Sequence, residues 1–300
     1  MAVLKLYPNG LTGGVPPRLV NRFPVPRGDC SGWSASSSRS NTRFLYSVRS
    51  SDLPVSSDGL ALLGLALSLT VLDCPDAHQD WKKSREAFFF RLRLRGLYRL
   101  HWLTEWQKRG VPHLHAAAWF DLAAVETWMK KHHPELPVMA FPAIVQRDWL
   151  ELTAPYRSSA KGQEVKPINN DLGWLQYLSK HAARGAAHYQ RAFSTIPKGW
   201  QKTGRMWGHL GDFPVSEPFG LELDRPGWFQ FRRIVRAWRL ASARSEKKVS
   251  GRRISSARTM LQCSDPFLSE VRGVSEWIPL DVGLSIISGL AAAGCSVESI

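Results

Sequence analysis

Residues 97–121, LYRLHWLTEWQKRGVPHLHAAAWFD, constrain the fold more than any other stretch of the chain. Two apolar runs flank the polar tetrapeptide Gln107-Lys108-Arg109-Gly110, whose glycine suits a tight turn. The pattern predicts a β-hairpin, with one strand from about Tyr98 to Trp106 and its return from about Val111 to Phe120. Residues two apart on a strand face the same way, so His113 and His115 project together, about 7 Å apart at a rise of roughly 3.4 Å per residue. Folding the hairpin about Arg109 sets Glu105 opposite His113 and Leu103 opposite His115. Opposed side chains share a face, with Cβ atoms about 5 Å apart. A slip of one residue would send Glu105 to the other face. In the expected register two imidazoles and a carboxylate converge and leave coordination positions open, as a catalytic metal site requires. With phosphate oxygens completing the shell, Mg²⁺ or Mn²⁺ is the expected ion, and the histidines tilt the choice toward Mn²⁺.

A second element follows downstream. Asn170 or Asp171 is placed to cap a helix, LGWLQYLSKHAARG, that Gly185 closes. On it Tyr177 and Lys180 sit three residues apart and share a face. A tyrosine hydroxyl titrates near pH 10 and is a poor nucleophile unaided. A cation one turn away favours the phenolate, or neutralises charge on an attacked phosphate. Such a tyrosine can form a covalent phosphotyrosine. Taken alone, the two histidines read more readily as a surface pair and Tyr177 as a core aromatic. Their occurrence in order on one chain favours a site.

Net charge is +15 over 300 residues, which points to a polyanionic partner, most commonly nucleic acid. An anionic membrane surface fits less well, because no basic helix has a clean apolar face. Gly59 to Leu72 is apolar but too short and glycine-broken to span a bilayer, and reads as a buried helix or strand. The four cysteines form no CxxC pair, which suits a reducing cytoplasm.

Composition divides the chain into three parts. Residues 1–54, rich in Pro, Gly, Ser and Arg, read as a flexible basic leader. Residues 55–215 hold the catalytic elements, with an edge strand near 161–168 and a Trp- and Gly-rich loop over 197–214. Residues 216–300 read as a basic, mostly helical C-terminal region. There Arg232, Arg233, Arg236, Lys247 and Lys248 would contact phosphates without reading bases, or simply form a solvated face.

Glu, spacer, Gly, then His-hydrophobic-His, followed by a tyrosine helix with lysine, resembles the HUH endonucleases. EWQKRGVPHLHAAAWF and GWLQYLSKHAARGAAHYQR are similar in style to rolling-circle replication initiators of single-stranded DNA bacteriophages, the filamentous ones especially. The resemblance spans roughly residues 60–215. It implies an α+β fold: an antiparallel sheet of about five strands flanked by helices, with a small mostly helical C-terminal extension. It also implies nicking of single-stranded origin DNA by Tyr177 with a 5′-phosphotyrosine intermediate, Lys180 as accessory cation, and Glu105, His113 and His115 as metal ligands. Position 181 is His, so a second tyrosine four residues on is lacking and the pattern is of the single-tyrosine kind. No Walker motif occurs, so a host helicase and polymerase would be partners in a bacterial cytoplasm. A transposase or relaxase would share these residues, and a non-catalytic DNA-binding regulator is the reading from another class.

Overall fold

The structure is a computed structural model. It describes residues 1–15, 32–169, 190–191, 199–200, 203–245, 251, 254–255 and 273–300. In chain order the elements are β1 (Ala2–Tyr7), β2 (Gly10–Gly14), α1 (Ala35–Ser47), β3 (Leu62–Thr70), α2 (His78–Leu94), β4 (Leu97–Trp106), β5 (Pro112–Asp121), α3 (Leu122–His132), α4 (Phe141–Leu152), β6 (Glu164–Pro167), β7 (Trp207–Leu210), β8 (Phe219–Leu223), α5 (Arg225–Arg244), β9 (Val274–Glu276), α6 (Leu280–Ala292) and β10 (Val297–Ser299). The fold is α+β, with two antiparallel five-stranded sheets in two compact units. No described helix is long and apolar enough to cross a membrane.

The central unit is built on the sheet β6-β3-β5-β4-β7. The apolar run from Gly59 to Leu72 resolves into β3, which pairs along its whole length with β5. Trp102 and Phe120 face the helices on one side: Trp102 lies 5.9 Å from Phe89 of α2, and Phe120 meets Phe141 of α4 edge-on at 5.1 Å. Trp149 of α4 takes Trp81 and Phe88 of α2 against its ring edges, at 5.4 and 5.3 Å. Large rings therefore fill this core. Strand alternation turns His101, Leu103, Glu105, His113 and His115 to the opposite face. There Phe44 of α1 stacks on His101 at 5.6 Å.

Local chemistry sets the boundaries. Asp121 caps α3 by accepting from the Ala124 amide at 3.1 Å. Gly96 follows α2 at φ +88°, a conformation in which a side chain would strike Ala124. β6 is an edge strand, as its sequence suggests. The Trp-rich stretch expected as loop contains β7, and its Trp200 is buried against Trp106 at 4.7 Å.

The terminal unit joins both chain ends in the sheet β10-β8-β1-β2-β9. Residues 2–14 are thus paired strands, where the leader composition suggested a flexible arm. Ala2, Leu4 and Leu6 alternate into the core, a period-two signal that the surrounding Pro, Gly and Ser content obscured. The C-terminal region has the expected helices α5 and α6, and also supplies β8, β9 and β10. Trp228, Phe231 and Val235 of α5 and Ile286, Ile287 and Leu290 of α6 pack with Leu4, Leu6, Leu11, Leu221 and Leu223.

Candidate active site

The hairpin has the register that the turn dictates: Glu105 pairs with His113, Leu103 with His115, and Trp106 with Pro112. Gly110 adopts φ +77°, its amide donates to the Gln107 carbonyl at 2.9 Å, and the Gln107 amide donates to the Val111 carbonyl at 2.9 Å. Those two bonds fix the loop length and hence which residues oppose each other. The His113 and His115 rings lie nearly parallel, 16° apart in plane, with centroids 4.3 Å apart.

Neighbours orient each ring. Ser68 of β3 sits opposite His115 in register, and its hydroxyl is 3.2 Å from His115 Nδ1. The Gln107 side-chain amide is 3.0 Å from His113 Nδ1. Fixing one ring nitrogen sets what the other can present to an ion or a substrate. His115 is buried and His113 half-buried.

Glu105 is fully buried, and Arg191 Nε donates to its Oε1 at 2.8 Å. The Arg191 guanidinium also donates to Ser38 Oγ at 2.7 Å and lies 3.8 Å over the Trp33 ring. Next to it the Trp106 amide donates to the Gln190 carbonyl at 2.9 Å. Residues 190 and 191 are thereby fastened to β4 beside the histidines. Sequence reasoning missed Arg191, because nothing in the sequence links it to a position so distant. Ser68 left a faint signal, as a polar residue inside the apolar run of β3.

Among the described residues no three His, Cys, Asp or Glu side chains converge closely enough to hold a metal ion. The donor types nevertheless fit one. Two imidazoles share a face, and a carboxylate paired with a guanidinium is opposed to His113. Arg191 competes with an ion for that carboxylate.

Tyr177, Lys180, Lys247 and Lys248 lie outside the described residues. Arg233 and Arg236 are exposed on α5, three residues apart on one face, and Arg232 is half-buried beside them.

Comparison with known proteins gives full-length relatives. The chain is 46% identical over 275 residues to the replication-associated protein of Pseudomonas phage Pf3, covering 90% of each chain. Two Xylella fastidiosa chains carry the name "putative replication protein". That of strain 9a5c is 42% identical over the full length of both chains, and that of strain Temecula1 is 40% identical over 92% of this chain and 99% of its own. No family model matches, and neither does any solved structure.

Proposed function

Because this chain belongs to the family of phage-type replication proteins that includes the Pf3 protein, we propose that it starts rolling-circle replication by nicking single-stranded origin DNA. The observation that carries the reading is the hairpin register, which sets a carboxylate opposite the first of two imidazoles that share a face. In this reading His113 and His115 would hold Mg²⁺ or Mn²⁺, and Glu105 would join them as third ligand only on giving up its pairing with Arg191. When bound, such an ion polarises a phosphate and fixes it for in-line attack.

Tyr177 supplies the nucleophile. Its oxygen bonds to phosphorus, the bond to the 3′ oxygen breaks, and the phenolic proton passes in net to that 3′ hydroxyl. One phosphodiester is exchanged for another, so the joining step reverses the same exchange. Lys180 neutralises charge at the tyrosine or the phosphate. Ser68 and Gln107 hold the imidazole rings. Arg233 and Arg236 add phosphate contacts that do not read sequence. The freed 3′ end then needs a helicase and a polymerase, which the host cytoplasm would supply.

Labelled single-stranded origin DNA incubated with the protein and Mn²⁺, then run on a denaturing gel, tests this. A covalent protein–DNA band is expected, absent in Tyr177→Phe and His113→Ala. DNA binding without that band, across metals and candidate origins, would leave a non-catalytic DNA-binding protein.

A further inference from the structure

A second basic site lies in the central unit on the helix-covered side of the sheet, between α2 and edge strand β7. It is a cavity of about 550 Å³. Among the described residues its lining carries four cationic side chains, Lys82, Arg85, Arg93 and Arg205, against one carboxylate, Glu86. Glu86 is itself 3.7 Å from Lys82.

Arg85 is the anomaly. It is only 6% exposed, its guanidinium carbon lies over the Trp102 ring at 3.9 Å from the centroid, and its one protein acceptor among the described residues is the Arg205 carbonyl at 3.4 Å. Its Nε is buried with no hydrogen-bond partner, and no ion pair joins it to a carboxylate among the described residues. A buried guanidinium lacking a counter-charge costs stability, and buried polar groups are ordinarily satisfied. The cavity beside it is large enough to admit an anion. At the rim stands Phe90, a phenyl ring 59% exposed and one residue from the buried Phe89. Cations that track phosphates, next to an exposed ring that can stack a base, are what single-stranded nucleic acid binds.

We propose that this cavity is a second single-stranded DNA site, in which Arg85 takes a backbone phosphate, Lys82, Arg93 and Arg205 flank it, and Phe90 stacks the adjoining base. It rests on the reading that the chain handles DNA. It also adds to that reading a track for the strand on the face of the sheet opposite the histidines.

The test is fluorescence anisotropy of the full chain with a short labelled oligothymidylate in EDTA, over a range of salt. Lys82→Ala/Arg205→Ala changes two exposed residues and should weaken binding about tenfold, lowering the salt slope by about 1.4, or about 0.7 per lost phosphate contact on a single strand. Phe90→Ala should weaken binding while leaving the slope alone. Lys130→Ala/Lys131→Ala on α3 should change neither. Arg85→Met should bind more weakly and melt no lower than the parent, since it removes an unsatisfied charge. A lower melting temperature with unchanged binding would make Arg85 structural and overturn the proposal. Should that variant not fold, the double alanine variant decides. Unchanged affinity and slope there would sink the proposal, as would inorganic phosphate competing as well as the oligonucleotide, which marks a free-anion site. A parent that forms the covalent band while the variants bind normally refutes this site alone. Weakened variants of a parent that forms no band refute only the nicking.

Discussion

The two sheets match in strand number and antiparallel pairing but differ in how the chain supplies them. The central sheet comes from one stretch, Leu62–Leu210, and its three middle strands run nine or ten residues with a tight hairpin at the centre. The terminal sheet is assembled from strands of three to six residues contributed by both chain ends. Long, locally connected strands close small loops, whereas distant short ones need most of the chain in place before they can pair. The rigid hairpin of the first sheet is therefore suited to holding reactive groups in register.

Buried charge divides the units in the same way. In the central unit, Glu105 and Arg191 are both completely buried. In the terminal unit, Arg239 pairs with Glu276 but remains 31% exposed. Replacing Arg191 by Met would remove the guanidinium paired with the buried Glu105 and should cost about 3–5 kcal/mol. Arg239→Met should cost far less, because burial pushes the Glu276 carboxyl up to about 7 despite Arg239, so it can take a proton instead. Urea unfolding of both variants near pH 6 measures the contrast. Equal losses would erase it.

Protonation sharpens the comparison further. His101 is wholly buried, and Asn41 Oδ1 can only accept, so His101 Nε2 donates to it at 2.7 Å. Burial, reinforced by His209, lowers the His101 pKa from 6.5 to about 3. Below pH 6.5 the unfolded chain binds a proton that the folded chain refuses, so stability contributed by His101 falls as the pH drops toward 3. Glu276 has the opposite sign. Between 4.5 and about 7 the folded chain keeps a proton that the unfolded chain has released, so its contribution falls as the pH rises. Each effect reaches at most about 1.4 kcal/mol per pH unit. Melting curves of His101→Gln and Glu276→Gln against the parent should show gaps that narrow in opposite directions. A gap that is flat across this range would refute the assignment for that residue.

The smallest contrast is between two helix caps. Asp121→Ala at the start of α3 should cost about 1 kcal/mol. Asp224→Ala should cost more, because Asp224 accepts from the Gly227 amide at 2.7 Å and also from the Ser296 amide at 3.3 Å, which ties α5 to the segment before β10. Equal shifts in the urea midpoint would mean that the second bond adds nothing.

Where structure is local, the sequence was a sufficient guide. A four-residue turn and period-two alternation determined the hairpin, its register and the shared face of His113 and His115, since each depends only on neighbours along the chain. Asp121 and Gly96 end their helices by equally local chemistry. The terminal sheet was not legible: the period-two signal of β1 is masked by the composition around it, the other strands are short, and the pairings of β1 with β8 and β2 with β9 join opposite ends of the chain. Nor did the residues reveal that Arg191 would reach Glu105, or that Arg85 would be buried over Trp102 with no ion pair to a carboxylate among the described residues. Only the tertiary structure decided those contacts, because they depend on how separate elements pack, and packing brings together side chains whose distance in sequence carries no periodic trace.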